Sequence, residues 1–167
     1  MELWDVLDEN RNKTGRLVER ENPDSLLGPG EYHLVVFAFI RNHDGRFLIS
    51  KRAPNKTFPN MWEITGGSAV TGDDSERAIF REIKEELGID VDPEKGRLLK
   101  SFKIDDERSF FADIWYFDHD VDLSQVVCQP EEVTEAKLAS KDEILGMVDD
   151  GTFAMNWFVL ECLESLS

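Results

Sequence analysis

The fold class this chain predicts is α/β or α+β, a layered sandwich, and three observations predict it. Tyr32 to Ile40 and Phe110 to Phe117 are dense in β-branched and aromatic residues, the composition of buried strands. Ser75 to Leu87 lies between them as one amphipathic helix, and two more helical segments close the chain. Strands and helices of this kind bury their apolar faces against one another in layers. At 167 residues the chain is the size of one domain with a self-sufficient core, so it is read as one unit over 1–167. No repeat or Pro/Ser-rich linker divides it.

The elements follow in order. Glu2 to Leu7 and Gly15 to Arg20 read as a hairpin around the turn formers Asp8 to Asn12, and Pro23 to Gly30 as loop, so 1–30 is an N-terminal hairpin and loop. Tyr32 to Ile40 is the central strand. Asn42-His43-Asp44-Gly45 turns the chain, and Arg46 to Arg52 returns as the antiparallel partner. Ala53 to Asn60 is a loop with Pro54 and Pro59, Met61 to Thr65 a short strand, and Gly66-Gly67 a loop. In the helix, Ile79, Ile83 and Leu87 recur every four residues and form one buried stripe. Asp73 is placed to cap it, with Glu76 completing a capping box, and Gly88 to stop it. Leu98 to Ile104 and Phe110 to Phe117 are strands around Asp105-Asp106-Glu107. Lys141 to Asp149 and Asn156 to Leu166 are helices.

Composition narrows the function. Nineteen basic against 35 acidic residues give a net charge of -16, which disfavours nonspecific binding to nucleic acid or anionic membrane. Divalent cations remain suitable partners. Cys128 and Cys162 are too few for a disulfide framework or a cysteine-based zinc site. The start, Met1-Glu2-Leu3-Trp4-Asp5, lacks a signal-peptide pattern, and the apolar run Leu34 to Ile40 is too short to span a bilayer. Cytoplasmic residence is expected, with a homodimer left open.

The helix carries a second stripe. Glu82, Glu85 and Glu86 stand at i, i+3 and i+4 and project to one side, away from Ile79, Ile83 and Leu87. Three such acids repel one another unless a cation lies between them, and hard oxygen ligands suit Mg²⁺ or Mn²⁺. Arg81, four residues before Glu85, offsets part of the charge.

From Gly67 the chain reads Gly-x5-Asp73-x7-Arg81-Glu82-Ile83-x-Glu85-Glu86-x-Gly88-Ile89. This resembles the Nudix box, Gly-x5-Glu-x7-Arg-Glu-U-x-Glu-Glu-x-Gly-U with U a bulky aliphatic, at eight of nine specified positions over 67–89. With average residue usage such a match arises by chance roughly once in a million such chains. The resemblance implies an α/β/α sandwich with a mixed sheet and a hydrolase acting on small-molecule diphosphates. It implies Mg²⁺ held by Glu82, Glu85 and Glu86 and by the Gly66 carbonyl, with Glu82 also activating water and Arg81 bracing the site. The departure is Asp73 where the box has Glu, shorter by one methylene, a reach deficit of roughly 1.5 Å.

The segment Phe47 to Trp62 resembles the stretch before the box in isopentenyl-diphosphate isomerases. Those enzymes use a cysteine and a histidine near this place, where this chain has Gly66 and Ser68; His33 matches one isomerase metal-ligand position. The acid needed for isomerisation is missing, so a hydrolase is expected, with a noncatalytic ligand sensor and the isomerase as alternatives. Lys51, Arg52 and Lys56 are expected phosphate contacts. Phe58, Trp62, Phe110 and Trp115 are aromatic positions for core packing or for stacking on a substrate. Glu131, Glu132 and Glu135 are candidates for an extra acid outside the box.

Overall fold

The computed structural model describes residues 2–21 and 27–167. Part of the expected loop, residues 23–26, lies outside them. Among the described residues, nine strands and three α-helices are ordered β1 (Leu3–Leu7), β2 (Lys13–Glu19), β3 (His33–Arg41), β4 (Phe47–Arg52), β5 (Trp62–Glu63), β6 (Thr65–Ser68), α1 (Ser75–Leu87), β7 (Gly96–Asp105), β8 (Ser109–Asp118), β9 (Val133–Ala139), α2 (Lys141–Asp150) and α3 (Trp157–Ser165).

β3 is central because both its faces are apolar. Leu34, Val36, Ala38 and Ile40 join the cluster beneath α1, whereas Val35, Phe37 and Phe39 join the one beneath α2 and α3. It pairs with β8 in parallel, from His33 opposite Phe110 to Arg41 opposite Asp118. Along β5-β4-β3-β8-β7 the sheet is otherwise antiparallel, with β6 added to β3 and β9 to β4. The mixed sheet between helical layers is the expected sandwich.

Two sequence expectations change here. The β3–β4 hairpin is paired only at Arg41 opposite Phe47; beyond the turn β4 runs beside β5 and β9, and β6 takes the rest of β3. Gly66 and Gly67, expected as loop, are strand residues opposite Phe37 and Val36. Glycine here serves close approach rather than a turn. A Cβ on Gly66 would meet the Val36 carbonyl oxygen and stand 2.7 Å from Phe37 Cδ1.

α1 spans the expected residues. Ile79, Ile83 and Leu87 are buried, each contributing about 2 kcal/mol relative to exposure. Its cap is corrected: Asp74, not Asp73, accepts the Arg77 amide at 2.8 Å. Gly88 closes the helix at φ 69°, and its amide bonds to the Lys84 carbonyl.

β1 and β2 form a separate hairpin that lies across the box loop. The Leu3 carbonyl accepts the Thr71 amide, and Asp5 accepts that of Gly72. At its tip Arg11, with φ 68°, pairs through both guanidinium nitrogens with Asp113, a fully buried residue of β8. Ser101 donates to the same carboxylate at 2.7 Å. Among the described residues, no helix is long and apolar enough to cross a membrane.

Candidate active site

β6, the loop after it and α1 bring the box residues together. Arg81 is the hub. It donates to Asp73 at 2.9 and 3.2 Å, to the Ser68 carbonyl at 3.2 Å, to Glu82 Oε1 at 3.1 Å and to Glu85 Oε2 at 3.2 Å. Asp73 also accepts the Val70 amide. The missing methylene therefore does not break the brace, because the loop brings Asp73 to the arginine.

The three glutamates are unequal. Instead of standing on an outer face, Glu82 and Glu86 are tucked against β6. Glu82 fills the space that Gly67 leaves: a Cβ on that glycine would lie 2.6 Å from each carboxylate oxygen. Burial, with Glu85 adding repulsion against the pull of Arg81, pushes the Glu82 carboxyl up to about 7. Glu86 is buried and accepts from Thr65 Oγ1 at 2.8 Å. Burial and the neighbouring Glu82 and Glu63 hold its carboxyl well above the usual range. Glu85 is half-exposed beside Arg81.

These residues fit a hard divalent cation in donor chemistry: buried Glu86 has no cation paired with it among the described residues, Glu82 shares the single Arg81 with Asp73 and Glu85, and Glu85 stands at the rim. Successive carbonyls of a strand alternate in direction, so that of Gly66 points the same way as that of Ser68, toward the Arg81 side. Among the described residues no three carboxylate, imidazole or thiol groups already form a closed cage.

The other sequence candidates scatter. Arg52 is committed to Glu63 at 2.6 Å and to Thr57, and Lys56 pairs with Glu132. Lys51 lies over the Trp62 ring, 5.9 Å from its centroid, with Lys137 at 4.3 Å. Trp62 packs toward α2 and α3, the sheet face opposite α1. Of the extra acids, Glu132 lies close enough to Glu86 to raise its carboxyl; Glu131 is exposed, and Glu135 stands opposite Lys51. Glu63, which also acts on Glu86, escaped the sequence reading, its signal being a lone acid in a short strand before the glycines. His33 stacks on Trp4 at 4.1 Å, and burial lowers its pKa to about 4. Cys128 and Cys162 are free thiols.

The sequence that carries this mixed sandwich and arginine-bridged acidic helix matches a family of hydrolases that act on acid anhydrides. The NUDIX domain model matches residues 31–157, and the chain belongs to that family. A Nudix hydrolase of Listeria monocytogenes serovar 1/2a is 38% identical over 161 residues, covering 95% of this chain and 92% of the relative. A crystal structure of a Deinococcus radiodurans protein matches with TM-score 0.80 and 25% identity, covering 99% of this chain and all of that one. The MutT protein of Methanosarcina mazei Go1 matches with TM-score 0.66 and 27% identity, over 84% of this chain and 94% of its own. Nudix hydrolases generally need a divalent metal and act on small molecules such as nucleoside diphosphates.

Proposed function

We propose that this protein cleaves the diphosphate linkage of a nucleoside diphosphate derivative or a related small molecule, with Mg²⁺, or Mn²⁺ in its place, held by Glu82, Glu85, Glu86 and the Gly66 carbonyl. The observation that carries this reading is the Glu82 carboxylate lodged in the space of Gly67 beside buried Glu86, both short of countercharge. A bound divalent cation supplies neutralisation of phosphate charge and acidification of a bound water. The chain supplies the rest. Arg81 fixes Glu82 and Glu85 through hydrogen bonds, and Glu82, which would help to hold the cation, would also take the proton of the attacking water.

Of the three cations before the box, Lys51 alone has no carboxylate in an ion pair among the described residues. Arg52 and Lys56 reach a phosphate only by exchanging Glu63 and Glu132 for it. A nucleoside triphosphatase of Salmonella arizonae, 44% identical over 55 residues, covering 32% of this chain and 38% of its own, supports a nucleotide substrate.

Glu82→Gln removes a ligand and the proton acceptor together. Turnover should fall about 100-fold or more with an unchanged circular dichroism spectrum. Across nucleoside diphosphates, dinucleotides, nucleotide sugars and isoprenoid diphosphates with Mg²⁺, tight binding by the wild type without any turnover would make this a sensor instead.

A further inference from the structure

The loop between β4 and β5 holds two non-glycine residues in left-handed backbone, Phe58 at φ 50° and Asn60 at φ 61°. Asparagine adopts that region readily; for a bulky aromatic it is an outlier. Packing does not explain it, since Phe58 is 65% exposed and its ring has no aromatic or cation contact among the described residues. The other aromatic positions near the site are taken. Phe110 is buried, Trp115 stacks on Phe117 and donates to Ser75, and Trp62 lies under two lysines. Phe58 alone among these four offers a ring face.

The mount is rigid. Arg52 Nε donates to the Thr57 carbonyl at 2.6 Å and Nη2 to Thr57 Oγ1 at 2.9 Å, while Nη1 holds Glu63. Lys56 holds Glu132, and the Asn60 amide donates to the Arg52 carbonyl. Glu63 and Glu132 both act on Glu86, so the pins that carry Phe58 border the box acids. An apolar ring left mostly exposed in an unfavourable conformation gains little for the fold. It does gain for binding, because a platform ordered in advance loses little freedom when a flat ligand stacks on it.

We propose that Phe58 is a specificity-determining residue that stacks on the base of the substrate, so that the preferred substrates are diphosphates carrying an aromatic nucleoside rather than an isoprenoid. This rests on the hydrolase reading of the same site. The test compares wild type, Phe58→Ala and Phe58→Trp with Mg²⁺ on ADP-ribose and on dimethylallyl diphosphate, which has no ring. Calorimetry with ADP and Mn²⁺ measures binding directly, and melting curves confirm that each variant folds. Phe58→Ala should raise KM for ADP-ribose and weaken ADP binding about tenfold, with kcat within about twofold, as loss of one base–aromatic stack requires. Phe58→Trp should restore both, and dimethylallyl diphosphate kinetics should not move.

Unchanged KM and ADP affinity in Phe58→Ala, equal losses on both substrates, or a wild type that does not bind ADP would each overturn the inference. Cleavage of dimethylallyl diphosphate alone would overturn it and leave the hydrolase reading standing. Phe58-dependent ADP binding with cleavage of neither substrate would do the reverse.

Discussion

Replacing Arg11 by alanine strips the guanidinium from a carboxylate that has no access to water. Asp113 is 0% exposed, and Arg11 meets both its oxygens, with the Ser101 hydroxyl at 2.7 Å as further support. Burial alone would raise the Asp113 carboxyl, but hydrogen bonds from Arg11, Ser75 and Ser101 hold it below the usual range. Breaking a buried pair from one side costs about 3–5 kcal/mol. Arg11 is itself 34% exposed, so water can enter where it stood, and the lower end, about 3 kcal/mol, applies. For a chain of this length that is a fall in Tm of about 6–12 °C. The sign with pH follows. In the wild type this pair stabilises above the unfolded carboxyl pKa and is lost as pH falls through the lower folded value. In Arg11→Ala the carboxyl is raised instead, and protonation relieves it. The gap between the two melting temperatures should therefore narrow from pH 8 to pH 5. Thermal unfolding by circular dichroism reads this, and Arg11→Ala with Asp113→Asn together should cost less than the sum of the two. A loss under about 1 kcal/mol, or a gap indifferent to pH, would refute the reasoning.

Three further outcomes concern the box. Gly67→Ala puts a methyl 2.6 Å from both Glu82 oxygens, so turnover should fall about 100-fold while the melting temperature moves little; activity within threefold of wild type would show that Glu82 does not need that space. Because Glu82 takes a proton near pH 7 without metal and cations bind its ionised form, Mn²⁺ affinity should rise about tenfold from pH 5 to pH 6 and less steeply above 7. Glu86→Gln should weaken Mn²⁺ binding severalfold at pH 7.5, and an affinity independent of pH and of this change would remove the metal assignment.

What could be read in the sequence was whatever has a local period. The Ile79/Ile83/Leu87 stripe placed α1 to the residue, and Gly88 ended it. Long-range pairing has no such signature. β4 leaves β3 because β6, itself hidden behind two glycines, competes for that edge, and β9 went unrecognised because Val133–Ala139 mixes charged with small residues. Arg81 and the three glutamates were legible from their spacing. Their inequality was not, since it arises from which side of α1 meets β6. Arg52 and Lys56 read as free cations, and only the fold shows them paired with Glu63 and Glu132. The one acid inside the apolar run of β8, Asp113, was a visible oddity whose partner 102 residues away was not.

The parallel pairing of β3 with β8 carries a consequence for synthesis. Phe110 leaves the ribosome about 80 residues after His33, a delay of about 4–16 s at ordinary elongation rates. Through that interval β6 can close one edge of β3, but the other edge, along Val35-Val36-Phe37-Ala38-Phe39-Ile40, has no partner in the nascent chain. This is the longest apolar stretch the protein makes, and it waits with its amides and carbonyls unpaired. Slowed translation between β6 and β8 should therefore lower the yield of soluble protein more than the same delay placed after Asp118.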